Sequence, residues 1–168
     1  MKIIYVLIVS CSLFLFTQCL ESVSLSTVEV GTLNNYSFDD SGIPTFGALV
    51  QYMNYVSTPI IYTDDPHDYW QLPEETWKLK TGDCEDYCIL FMYLVETRLN
   101  TRTQLVDIKN SYTGEFHVVV KIDNMYYELI NNFQTPTLLS GWYVVWVAPY
   151  DEVMWMTYYY HNNIGKYY

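Results

Sequence analysis

The sequence predicts an α+β domain, and three observations carry that prediction. Apolar residues in the first half of the chain recur at helical spacing. Beyond residue 104 the period changes to two and stays there through four stretches. Helices followed by strands, rather than alternating with them, imply an antiparallel sheet packed on helices and not a doubly wound parallel one. Composition agrees. The chain has 168 residues, the size of one domain; 51% are hydrophobic and 16% charged, so it can bury a core and is not a disordered chain. Four cysteines are too few for a disulfide scaffold. Eight basic residues against 19 acidic ones give a net charge of −11, which repels phosphate backbones and excludes nucleic acid as a partner. Thirty residues are aromatic, 18 of them tyrosine, enough to fill a core and line a groove.

The first element is an address rather than part of the fold. Lys2 precedes an apolar run from Ile3 to Phe16 that stops at Thr17-Gln18. A membrane-spanning helix needs about 20 apolar residues, so residues 1–18 read as a secretory signal peptide. No second long apolar run follows. Leu15-Phe16-Thr17-Gln18-Cys19 resembles a relaxed bacterial lipobox, with Gln18 in place of the usual small residue. Both simple cleavage and lipidation at Cys19 are therefore expected routes. The protein would be exported, to the periplasm or cell surface, with membrane attachment only through a lipid on Cys19. Residues 19–41 are rich in Ser, Thr, Asn and Gly and read as a tether, leaving 42–168 as the domain.

Within the domain, Phe46, Leu49, Val50, Met53 and Val56 define a first helix, ended by Ser57-Thr58-Pro59. The stretch from Ile60 to Gln71 is rich in Asp, Pro and Tyr and reads as a surface loop. A short helix runs over 73–79, with Pro73 in its first turn. The strongest helix follows, from 82 to 100. Asp83 is a suitable N-cap, Asp86 completes an approximate capping box, and Cys88 to Val95 is apolar on nearly every side, as expected of a helix buried in mid-domain. Residues 104–109 alternate weakly. Glu115–Ile122 and Met125–Ile130 form a hairpin about Asp123-Asn124, Trp142–Val147 is a further strand, and 151–160 is a closing helix capped by Asp151.

Two residue types in this layout carry chemistry. Cys84 stands at the head of the buried helix, where the dipole and unpaired backbone N–H groups stabilise a thiolate and can hold an oxyanion. His117 lies on a later strand and supplies the imidazole such a thiolate needs, provided a third group orients the ring. If Ile122 pairs with Met125, Glu128 falls on the face of the hairpin that carries His117, and Asn132 does so if the pairing continues. Glu128 ranks first as the orienting group and Asn132 second. Against this, Asp83, Glu85 and Asp86 surround the thiol with negative charge, which disfavours ionisation.

The segment Tyr69-Trp70-Gln71-Leu72-Pro73-Glu74-Glu75-Thr76-Trp77, followed by Gly82-Asp83-Cys84-Glu85-Asp86, resembles the bacterial transglutaminase-like cysteine proteinases of the papain-like superfamily. The likeness runs from about Thr58 to Asn132. It implies a papain-like, transglutaminase-like core with a central buried helix packed on an antiparallel sheet. It also implies Cys84 as nucleophile, His117 as base and Glu128 as orienting group, where the family more often has Asp. By the same resemblance Gln71 or Trp70 helps form the oxyanion hole, the aromatics Trp70 and Trp77 flank the groove, and Asp83 and Asp86 are structural. The implied chemistry is attack on a peptide or amide carbonyl, with water (peptidase or amidase) or an amine (transglutaminase) as acceptor and without metal or organic cofactor. Protein or peptide is the expected substrate.

Three further readings stay open. One is a catalytically silent surface lipoprotein that binds a partner. Another is a structural zinc site built from Cys84, Cys88 and His117, since two cysteines four residues apart share a helix face. A third makes Cys88 plain core filler. A Cys84–Cys88 disulfide would be strained within one helical turn. His67 and His161 are expected to have no role, and the C-terminal aromatics are expected to be core and rim.

Overall fold

The architecture is described from a computed structural model, over residues 38–65 and 69–163. The expected signal peptide, Cys19, the expected tether up to residue 37 and His67 lie outside the described residues. The order of elements is α1 (Leu49–Ser57), β1 (Ile61–Tyr62), α2 (Pro73–Leu79), β2 (Thr81–Gly82), α3 (Cys84–Leu99), β3 (Gln104–Asn110), β4 (Phe116–Ile122), β5 (Met125–Glu128), β6 (Phe133–Thr135), β7 (Trp142–Pro149) and α4 (Tyr150–Asn163). Helices precede an antiparallel five-stranded sheet of order β6-β5-β4-β3-β7. This is the α+β arrangement expected from the change of period.

α3 is the centre of the molecule. Every residue from Glu85 to Val95 is buried, and Cys88 through Met92 have no exposed surface at all. Such a helix has no solvent face and therefore no amphipathic signal; its stability comes from being surrounded. α1 and α2 pack on it from one side, and Leu105, Val120, Ile122, Tyr127 and Ala148 of the sheet pack from the other. The opposite face of the sheet carries a smaller cluster of Val106, Ile108 and Val119, covered by Tyr126, Leu138 and Trp142. The β4–β5 register is Ile122 to Met125, Lys121 to Tyr126 and Val120 to Tyr127. The turn between them is Asp123-Asn124, with Asp123 at φ 51°, in the left-handed region that Asp tolerates.

The differences from the sequence expectations are local. The strand expected over 125–130 ends at Glu128, because the Glu128 carboxylate accepts the N–H groups of Ile130 and Asn131 (3.0 and 2.7 Å) and folds the chain into a turn. A short strand, β6, then returns. The stretch read as loop from Ile60 contains β1, which pairs in parallel with β2 just ahead of α3. Two-residue strands carry no period to read. Phe38 is buried and packs its ring 4.9 Å from Tyr93, and Asp40 pairs with Arg98 at 2.7 Å. The packed structure thus includes residues ahead of position 42.

Candidate active site

Cys84 is the first residue of α3, held there by its neighbours. Asp83 is extended (φ −103°, ψ −162°) and caps the helix, and its N–H donates to Asp86 Oδ2 at 3.2 Å. Asp86 Oδ1 accepts the N–H of Gln71 at 2.8 Å. One fully buried carboxylate therefore joins the Trp70-Gln71 segment to the head of the helix. Burial, and then the neighbouring Asp83, push the Asp86 carboxyl up to about 8. Gly82 makes room for it: a Cβ there would lie 2.7 Å from Asp86 Cβ and 2.8 Å from its Oδ2. The first backbone bond at the head of the helix runs from Tyr87 N–H to the Asp83 carbonyl at 3.2 Å, so the N–H groups of Cys84 and Glu85 point out of the end of the helix.

Val118 connects the helix to the histidine strand. It lies past the last β4–β5 pair, so its backbone edge is open on that side. The Cys88 thiol donates to the Val118 carbonyl at 3.5 Å. Cys88, one turn in from Cys84, thereby seats α3 against the residue that follows His117.

His117 and Glu128 meet as the hairpin register expects. His117 Nε2 lies 2.9 Å from Glu128 Oε1, and the Trp142 ring packs against the imidazole at 6.0 Å between centroids, 60° from parallel. Glu128 is buried. Burial alone would raise its pKa, but the hydrogen bonds from His117 and Asn131 outweigh that and hold it below the usual carboxylate value. A charged acceptor is thus fixed on one ring nitrogen, leaving the other to act.

The thiol itself is turned elsewhere. It donates to Glu85 Oε2 at 3.1 Å, and among the described residues no hydrogen bond joins it to His117. Burial first, then the charge and hydrogen bond of Glu85, raise the Cys84 pKa well above that of a free thiol, and Asp83 adds to this; the Val118 backbone bond opposes it. In this conformation Cys84 is a protonated thiol at neutral pH.

The other sequence candidates separate. Gln71 reaches the site through its backbone; its buried side-chain oxygen has no protein partner among the described residues. Trp70 is half-buried against the core, 6.4 Å from the Trp146 ring. Trp77 is not at the thiol: it stacks on Tyr55 (5.4 Å, 27°) and lines an open groove of about 500 Å³ with Phe46, Gln51, Asn54, Thr58 and Pro59, away from Cys84, His117 and Glu128. Asn132 is an exposed turn residue at φ 55°, because the chain leaves the sheet before reaching it. The zinc arrangement is not assembled. Cys88 is spent on a carbonyl and His117 on Glu128, and among the described residues no group of three or more His, Cys, Asp or Glu is placed to hold a metal ion.

Contacts the sequence did not signal complete the surroundings. The Tyr69 hydroxyl lies 3.0 Å from Glu75 Oε2 and 2.7 Å from His161 Nδ1. Glu75 also accepts the N–H of Leu72 at 2.8 Å. His161 therefore ties α4 to the segment bearing Trp70 and Gln71. Only a long-range contact between positions 69 and 161 reveals this, and no local pattern encodes it.

A cysteine heading a buried helix, packed on an antiparallel sheet whose histidine is paired with an acid, defines an α+β class of protein. Residues 32–159 match the family described as Transglutaminase-like domain, and the chain belongs to that family. A search of curated proteins gives no match. Among solved structures, the chain is similar to calcium-bound LapG of Legionella pneumophila, with TM-score 0.50 and 16% identity over 60% of this chain. The alignment spans 62% of that LapG chain, under two thirds of its length. A second LapG structure aligns at TM-score 0.48 and 17% identity over 71% of this chain and 81% of that one. At 16% identity the likeness to the calcium-bound structure is one of fold.

Proposed function

We propose that the protein is a thiol-dependent acyl-transfer enzyme acting on peptide or amide bonds, with Cys84 as nucleophile, His117 as general base and acid, and Glu128 as the group that orients the ring. The observation that carries this reading is the 2.9 Å contact between His117 and a buried Glu128, on the strand that Cys88, one turn into the helix headed by Cys84, bonds at Val118. In the reaction the sulfur would leave Glu85, and the unpaired nitrogen of the His117 ring would take its proton. The thiolate then adds to the carbonyl, and the outward-pointing N–H groups at the head of α3 hold the oxyanion. His117 protonates the leaving amine, and water, activated by the same nitrogen, releases the acyl group. Hydrolysis is favoured over transfer to an amine because the resemblance is to proteinases. LapG occurs in a calcium-bound form; no cluster of ligands for such an ion forms among the described residues.

The rival reading, a silent protein that binds a partner, draws on the thiol's being held by Glu85. One experiment decides between them. Iodoacetamide labelling of Cys84, followed by the mass of its peptide, is compared for wild type and His117→Ala, with peptide hydrolysis measured in parallel. The enzyme reading expects Cys84→Ala to abolish turnover and His117→Ala to lower it by about 10²–10⁴-fold. A labelling rate no faster than a free thiol's across pH 6–9, indifferent to His117→Ala, sinks it.

The same reading includes export: a signal peptide over residues 1–18 and a mature chain starting at Cys19, with or without lipid. The intact mass of the cell-envelope protein tests it. Loss of residues 1–18 is expected, with added acyl mass if Cys19 is lipidated; an unprocessed amino terminus would refute it.

A further inference from the structure

The open groove of about 500 Å³ beside α1 is the size of a small-molecule site, and the triad makes no use of it. α1 divides its faces. Tyr52, Met53 and Val56 are buried in the core. Gln51, Asn54, Tyr55 and Thr58, three and four residues apart, share the face that lines the groove. Three aromatic rings form its wall. Phe46 and Tyr55 lie 5.2 Å apart at 57°, and Tyr55 and Trp77 lie 5.4 Å apart at 27°. Lys80 sets its ammonium over the Trp77 ring, and the Phe46 N–H donates to the Tyr52 hydroxyl at 3.1 Å. The wall is therefore fixed before anything binds, which lowers the cost of binding. The side-chain amides of Gln51 and Asn54 are exposed and have no hydrogen-bond partner among the described residues. No charged side chain lines the groove, in a chain whose net charge is −11.

These features select a ligand by its chemistry. An ion would lose hydration here and meet no opposite charge. A hydrocarbon chain would cover both amides and leave them unpaired. A proline-rich peptide stacks on aromatic rings, but its prolines offer only acceptors and so leave the amide oxygens unmet. A neutral sugar meets every requirement. Its C–H faces suit the negative faces of aromatic rings, and its hydroxyls both donate and accept, as a side-chain amide does. We propose that the groove walled by Phe46, Tyr55 and Trp77 binds a neutral oligosaccharide, with the rings packed on its C–H faces and Gln51 and Asn54 bonded to its hydroxyls. The site neither includes Cys84, His117 or Glu128 nor depends on their chemistry.

The test is calorimetric titration of the full chain with chitohexaose, cellohexaose and maltohexaose. At least one should bind with a Kd of about 1 mM or below. That Kd should rise about tenfold or more in Trp77→Ala, which removes part of the wall, and in Asn54→Asp, which brings an unpaired charge into the groove. Asn54 is exposed and Asp has nearly its shape, so the second variant reads the site even if Trp77→Ala folds poorly. Cys84→Ala should bind as wild type does. Four results overturn the proposal. One is the absence of binding by all the sugars at about 10 mM. Another is a Kd unmoved in both groove variants. A third is loss of binding in Cys84→Ala, which would place the sugar at the thiol. The last is binding of acetyl-decaproline amide in place of the sugars, which would assign the groove to peptides.

Discussion

At the scale of the residue, the site is set by which acid touches which partner. Glu128 and Glu85 are both buried carboxylates within one centre, yet they act in opposite directions. Glu128 accepts from His117 and from two backbone N–H groups, so its charge is compensated and it stays ionised. Glu85 accepts from the thiol, and its charge disfavours thiolate. Because the folded thiol pKa is raised, the thiolate fraction at pH 7 is small and grows with pH. Glu85→Gln removes the charge and should move the alkylation profile of Cys84 to lower pH. A profile displaced by one pH unit corresponds to a rate at pH 7 raised about tenfold. An unmoved profile would show that burial alone restrains the thiol. That His117 and Glu128 share a face was legible from parity and a two-residue turn. That Glu85 would turn inward to the sulfur was not, because side-chain direction at the first turn of a helix depends on what packs above it.

At the scale of the element, the head of α3 is a junction of three segments held by one carboxylate. Asp86 binds the N–H groups of Asp83 and Gln71, and Gly82 yields it space. Gly82→Ala places a methyl group 2.7 Å from Asp86 Cβ, so either the carboxylate or the helix start must move. The expected loss is about 1–3 kcal/mol of stability, measurable by urea unfolding, together with slower turnover, because Cys84 shifts with the cap. A variant as stable and as active as wild type would show that the junction yields freely. Gly-Asp-Cys-Glu-Asp could be read as a helix start from its capping pattern, but the partner of Asp86 lies 15 residues upstream and no spacing rule reaches it.

At the scale of the whole molecule, long-range ties set the frame of the site. Arg98, near the end of α3, donates to the Asp40 carbonyl at 2.9 Å and to its carboxylate, and reaches Thr45 Oγ1 at 3.0 Å. The segment entering the domain is thereby fastened to the C-terminal end of the central helix while Cys84 occupies the other end. At that other end, His161 of α4 meets Tyr69 and Glu75, so the last helix braces the segment carrying Gln71. Both ties close long loops whose ends are far apart in sequence. Their cost in chain entropy is met by the shared core around α3, into which the helices and the sheet all pack.

The sequence by itself determined the class of the fold, the buried central helix, the hairpin register and the residues able to do thiol chemistry. Each of these rests on local physics: side-chain period, capping, turn preference and the ionisation of a cysteine at a helix terminus. Only the tertiary structure decided where the thiol points, that Cys88, a core residue, also donates to Val118, that β5 ends at its own carboxylate, and that the stretch after Ile60 supplies a strand paired with β2. Those outcomes turn on contacts between distant segments and on backbone groups, and backbone groups are the same whatever residue stands above them.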